Sequence, residues 1–239
     1  MLKVIGLGLC LVASSAFAET ITKSVVASLN SLVDIKNGAG DVSVVGENVE
    51  EVTVTANLKK WSSDCQLKVE QSSKKVKISA EQTAVYGPEC VADLTVVAPL
   101  AVKLDIETGS GDVDVANTTG GLTFRTGSGN MKVASANLQR LEGKTGSGNV
   151  TIAAALAEGE LKAGSGNIKL TFPKAPTAGL VTIVSGSGNT SVQMPKETKV
   201  SSDLKTGSGN VTNELDDIKD AKFKLSIRTG SGDVSIKKL

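Results

Sequence analysis

The stretch Arg125–Val133 reads RTGSGNMKV, and from Lys144 to Ile152 the chain repeats itself almost word for word as KTGSGNVTI. Further versions are ETGSGDVDV, KAGSGNIKL, VSGSGNTSV, KTGSGNVTN and RTGSGDVSI. With the first glycine of each copy as its marker, the markers are Gly109, Gly127, Gly146, Gly164, Gly186, Gly207 and Gly230, at steps of 18, 19, 18, 22, 21 and 23 residues. An eighth, degenerate copy, VDIKNGAGDVSV, has its marker at Gly38. Self-similarity at so short a period is the signature of a stacked repeat architecture.

Each copy has one internal pattern. Three residues before the marker the chain is mostly apolar (Ile35, Ile106, Phe124, Leu161, Ile183, Leu204, Ile227), and apolar residues resume with period two after the second glycine, as in Val113/Val115 and Val150/Ile152. Alternation over four to six β-branched-rich residues describes a half-buried strand, so each copy reads as strand, tight corner, strand. The fold class expected is all-β, a right-handed parallel β-helix (β-solenoid) with coils of 18–23 residues. An antiparallel β-meander with hairpins at the glycines is the alternative. The solenoid is preferred because only one corner per repeat is constant, and coils absorb insertions at the other.

Between the apolar positions lie ordered charges. Two before the marker stand Lys36, Arg125, Lys144, Lys162, Lys205 and Arg228; four before stand Asp34, Asp105, Glu142, Glu160 and Asp203. In-register stacking about 4.8 Å apart would turn these into a basic and an acidic column on one outer face. A solvated face of compensating charge explains them better than a ligand track, since exposed pairs contribute little.

The refrain itself reads as architecture. Gly109, Gly127, Gly146, Gly164, Gly186, Gly207 and Gly230 open corners too tight for a Cβ. The residue after the second glycine is Asn in Asn130, Asn149, Asn167, Asn189 and Asn210, a type that tolerates the left-handed region and bonds locally to the backbone. A phosphate cradle would need a helix after the glycines, and every copy runs into a strand instead. A calcium ladder would need carboxylates in successive turns. Here Asp41, Asp112 and Asp233 are separated by neutral amides, and no metal or other cofactor is expected. Without a single histidine there is no Ser-His or Cys-His couple, and the carboxylates follow the repeat rather than breaking it at one place. The chain is not expected to be an enzyme.

The ends and the composition place the protein. Residues 1–18, MLKVIGLGLCLVASSAFA, have the layout of a cleavable secretory signal ending Ala-Phe-Ala. No other stretch reaches the ~20 apolar residues of a membrane span. Export, to the periplasm or the cell surface, is the expectation. Loss of Lys3 with the signal leaves 26 − 1 = 25 cations against 25 anions. A chain so balanced has no field with which to gather nucleic acid.

The pattern breaks between residues 57 and 100. Trp61-Ser-Ser-Asp-Cys65 and Tyr86-Gly-Pro-Glu-Cys90 place the only Trp and Tyr four residues before the two cysteines left after the signal. In an exported protein, Cys65 and Cys90 are expected to form a disulfide; a two-thiol metal site is the weaker alternative. Trp61 and Tyr86 either pack on that bridge and cap the stack or form a recognition tip, and any discrete partner-binding site is expected there. The division that follows is 1–18 signal, 19–100 an N-terminal β region with the first repeat and the disulfide-bearing cap, and 101–239 the seven-repeat array.

The run LTVVAPLAVKLDIETGSGDVDVANTTGGLTFRTGSGNMKV (94–133), with further TGSGN strands and exits at Phe172-Pro173 and Met194-Pro195, resembles a bacterial domain of unknown function that carries an adhesin label. The resemblance covers Leu32 to Leu239 and departs at the Trp/Tyr/Cys insertion. It implies a right-handed single-stranded β-helix in an envelope or surface protein and supplies no catalytic residues. The partner expected is a protein or cell-surface ligand. The last strand, VSIKKL, carries Lys237 and Lys238, which read as protection of an exposed sheet edge and argue for a monomer.

Overall fold

The computed structural model describes residues 19–27, 31–83 and 89–239. Residues 1–18, where a secretory signal is expected, and Tyr86 lie outside them. Where β-branched and polar residues alternate the chain is extended, and no helix occurs among the described residues. The N-terminal strands are β1 (Glu19–Val26), β2 (Leu32–Ala39), β3 (Val42–Glu47), β4 (Glu51–Lys60), β5 (Cys65–Ser72), β6 (Lys75–Gln82) and β7 (Val91–Pro99). Next come β8 (Lys103–Ser110), β9 (Val113–Ala116), β10 (Leu122–Ser128), β11 (Met131–Ser147), β12 (Val150–Ser165) and β13 (Ile168–Thr171). The last are β14 (Gly179–Ser187), β15 (Thr190–Met194), β16 (Val200–Ser208), β17 (Val211–Asn213), β18 (Phe223–Ser231) and β19 (Val234–Lys238).

All belong to one sheet system, and the repeat array pairs in parallel throughout. The meander alternative is thereby set aside for the array. Antiparallel pairing is confined to the N-terminal end: β6 and β7 lie parallel on β2 and β3, while β4 runs against β7, β1 against β4, and β5 against β6.

Equivalent residues of successive repeats are register partners: Leu122 lies between Leu104 and Leu141, and Phe124 between Ile106 and Gly143. The apolar positions therefore form continuous buried columns, one running Ile35, Ile106, Phe124, Gly143, Leu161, Ile183, Ile227 and Leu204. At roughly 1.5–3 kcal/mol for each buried Val, Leu, Ile or Phe, these columns outweigh the surface ion pairs, worth about 0–1 kcal/mol each. Gly143 is the gap in its column. A Cβ there would sit 2.2 Å from Cζ of Phe124, whose ring fills the space.

The order of the last layers departs from the order of the chain. β14 pairs with β18, not β16, and β15 with β19, not β17. β16 and β17 lie outside, on β18 and β19. The Gly230 repeat is thus inserted between the Gly186 and Gly207 repeats, and the Gly207 repeat ends the stack. This corrects the expectation for the terminal strand: β19, with Lys237 and Lys238, is an interior strand flanked by β15 and β17. Lys237 and Lys238 pair with Gln193 and Met194 of β15 and lie just past Ile236, the last residue that β17 pairs.

Candidate functional site

The glycine refrain forms a column of corners along the stack. A Cβ on Gly127 would approach the carbonyl oxygen of Gly109 to 2.6 Å, and equivalent contacts of 2.5–2.7 Å recur at Gly109, Gly146, Gly164, Gly186, Gly207 and Gly230. The second glycine is barred twice over. At Gly129 φ is +130°, and a Cβ would meet the Gly111 carbonyl oxygen at 2.1 Å. The next residue builds a ladder. Each backbone N–H donates to Oδ1 of the residue in the layer before, through Asp93, Asp41, Asp112, Asn130, Asn149, Asn167, Asn189, Asp233 and Asn210, at 2.7–3.1 Å. Asn and Asp both offer Oδ1, which is why either serves.

Two participants were not read from the sequence. Asp93 of β7 starts the ladder, although its surroundings lack the refrain. The residue before the first glycine also takes part in the corner, for Thr108, Thr126, Ser185 and Thr229 donate their hydroxyls to the carbonyl of the corner serine two residues on. A hydroxyl at that position in most copies was the available signal. The carboxylates at Asp41, Asp112 and Asp233 are each spent on a backbone N–H of the neighbouring layer. Among the described residues, no three His, Cys, Asp or Glu side chains are grouped to hold a metal ion.

On the outer face the charges interleave. The column two before the corner runs Lys36, Glu107, Arg125, Lys144, Lys162, Val184, Arg228, Lys205, so the basic column is broken by Glu107 and Val184. Lys36 meets Glu107 at 3.3 Å, Arg125 meets Asp105 at 3.0 Å, and Asp203 meets Lys205 at 3.0 Å and Arg228 at 3.1 Å. Hydrogen bonds from Lys205 and Arg228 hold the Asp203 carboxyl below its ordinary value, and Lys162 does the same to Glu160. The bond to Glu107 raises Lys36. The outward row of β14, Leu180, Thr182 and Val184, is uncharged and borders a shallow cleft of about 530 Å³ lined by Arg140, Gly159 and Gly179. This face has no dominant sign and no converging set of reactive groups.

The irregular end differs. Trp61 follows β4 and is half-buried against the core. Its turn is held by Cys65 N–H donating to the Ser62 carbonyl at 3.0 Å and by Ser62 N–H donating to Cys65 Sγ at 3.3 Å. Cys65 and Cys90 are joined, tying the start of β5 to the residue before β7. Thr83 closes the other side, its N–H and hydroxyl both donating to the Asp64 carbonyl. Nearby, Lys59 meets Asp93 at 2.6 Å, and that hydrogen bond raises the Lys59 pKa. The structure thus places Trp61 on the turn that carries the disulfide; its expected companion Tyr86 is outside the described residues.

The family model described as Toastrack DUF4097 matches residues 20–239. No curated protein matches the chain. Among solved structures, a candidate cell adhesion protein from Clostridium sporogenes is 12% identical with a TM-score of 0.36, over 92% of this chain and 100% of its own. A candidate adhesin from Bacteroides fragilis is 10% identical with a TM-score of 0.39, over 92% and 97%. A candidate lipid binding protein from Parabacteroides distasonis is 13% identical with a TM-score of 0.39, over 92% and 96%.

Proposed function

The chain belongs to the Toastrack DUF4097 family, and from that premise we propose that it is an exported, non-catalytic envelope protein. It is a right-handed β-solenoid with coils of 18–23 residues and binds a protein or cell-surface partner through its disulfide-clamped N-terminal end. The observation that carries this reading is the contrast between the two surfaces. Along the array, opposite charges are paired in several layers, and a face of mixed charge favours no partner of either sign. At the N-terminal end the repeat is interrupted by a clamped turn that presents a half-buried tryptophan. Tryptophan anchored on a rigid support is the side chain most often found at the energetic centre of an interface. The disulfide supports an oxidising compartment, and the absence of histidine supports a role without acid–base catalysis.

The test has two parts. With an epitope at the C-terminus, protease should digest the protein on intact cells; protection until the envelope is permeabilised would overturn the surface role in favour of a periplasmic scaffold. Purified protein should then bind the surface of its own or a host cell, and Trp61→Ala should lower that binding at least tenfold while circular dichroism shows the β-fold retained. Undiminished binding by the variant would refute the N-terminal end as the contact.

A further inference from the structure

The exchanged order of the last two repeats has a cause in their interior residues. By register, Ser202 occupies the place of Leu225, and Asn213 that of Ile236. The Gly230 repeat is apolar at five inward positions of its two strands: Phe223, Leu225, Ile227, Val234 and Ile236 are at most 1% exposed. The Gly207 repeat is not. Ser202 and Asn213 bond to each other on the exposed end of the stack, Asn213 Nδ2 donating to Ser202 Oγ at 3.3 Å. The return segment 214–222 then closes one side of the end. Asp217 Oδ1 accepts from Ser202 N–H at 2.8 Å, Ile218 N–H donates to the Val200 carbonyl at 2.8 Å, and Leu215 N–H donates to Asn213 Oδ1 at 3.0 Å.

We infer that the sixth repeat is a built-in terminator: its polar interior, Ser202 with Asn213, sends it to the end of the stack and draws the seventh repeat into the layer beneath. In chain order the amide and hydroxyl would be shut between two apolar layers, away from water, while Leu225, Ile227, Val234 and Ile236 would face solvent. Both changes are unfavourable. The corners do not oppose the exchange, because Asn189 can serve Asp233 as well as Asn210: Asp233 N–H donates to Asn189 Oδ1, and Asn210 N–H to Asp233 Oδ1.

Cysteine pairs report the order directly. Thr182 and Ser226 are register partners on adjacent strands, within reach of a disulfide, whereas Thr182 and Asp203 are two layers apart, about 9.6 Å. In the natural sequence T182C/S226C should oxidise to a new bridge and T182C/D203C should not, as read by peptide mapping under non-reducing conditions. In a chain with the interiors exchanged, S202L/N213I/L225S/I236N, the pattern should reverse. An exchanged chain that still bridges 182 to 226 would overturn the inference and assign the order to the connecting loops. If the fourfold variant does not fold, as judged by circular dichroism, S202L/N213I alone decides: a 182–203 bridge should then appear alongside 182–226, and its complete absence would equally overturn the proposal.

Discussion

Gly143 is the sharpest test of how the interior columns are packed. The layers on either side place Phe124 and Leu161 in the same column. A Cβ at 143 would lie 2.2 Å from Phe124 Cζ, 2.3 Å from its Cε1 and 2.7 Å from Leu161 Cδ2. The ring is 2% exposed and enclosed by neighbouring layers, so it cannot swing away as a surface side chain would. Overpacking of this kind costs about 1–3 kcal/mol, and with a rigid ring as obstacle Gly143→Ala should fall near the upper end, about 2.5 kcal/mol. With an m-value of about 2.5 kcal/mol/M in urea, the unfolding midpoint should drop by about 1 M. Phe124→Leu alone opens a cavity and should cost about 1.5 kcal/mol. Together the two changes relieve each other, because the shorter leucine vacates the volume that the new methyl needs. The double variant should therefore lie at least 1 kcal/mol above the sum of the singles. Urea titration followed by circular dichroism gives all three values, and coincident fluorescence and dichroism transitions would justify two-state treatment. Additivity within about 0.5 kcal/mol, or a Gly143→Ala variant as stable as the natural protein, would refute the shared-volume account.

The corners make a paired prediction. Gly129→Ala, with φ at +130° and a Cβ 2.1 Å from a backbone oxygen, should cost on the order of 3 kcal/mol or prevent folding, while Gly121→Ala, whose Cβ meets only the Arg140 carbonyl oxygen at 4.0 Å, should change the melting temperature little. In the ladder, Asn149→Asp keeps Oδ1 between two neutral amides and gives up one long Nδ2 bond to Asn130, so it should cost little at neutral pH. Asn130→Asp instead sets a carboxylate against Asp112 and removes its Nδ2 bonds, so it should be the worse of the two by about 1 kcal/mol, with the gap narrowing in high salt. Thr190 Oγ1 is buried without a partner between Ile168 and Val234, so Thr190→Val should raise stability by about 1 kcal/mol in calorimetry. Asp203, held low by Lys205 and Arg228, has a folded pKa below its unfolded one; the stabilisation this gives is present above the unfolded pKa and fades as pH falls through the folded value. Carbon-detected NMR titration should show that pKa rising towards its ordinary value in Arg228→Ala, and an unmoved value would remove Arg228 as a cause.

Much of this protein is decided locally, and its sequence carries that part openly. Period-two alternation dictates strands whatever surrounds them, and repetition at a short period dictates stacking, because one repeat cannot bury its own apolar side. A glycine pair before an Asn or Asp marks a turn too tight for Cβ atoms, and the pair Cys65 and Cys90 could be matched without the fold. Other features depend on comparing layers that are distant in the chain. Nothing within residues 200–239 taken singly states that β18 lies inside β16, since any two repeats with the same corner can be neighbours. The choice falls to the total burial of Leu225 and Ile236 against Ser202 and Asn213. For the same reason Lys237 and Lys238 belong to an interior strand, and Phe124 answers for the missing side chain of Gly143. Local geometry made the strands and corners legible residue by residue; the order of the layers is a property of the whole stack, where only the sum of buried apolar surface distinguishes one permutation of near-identical repeats from another.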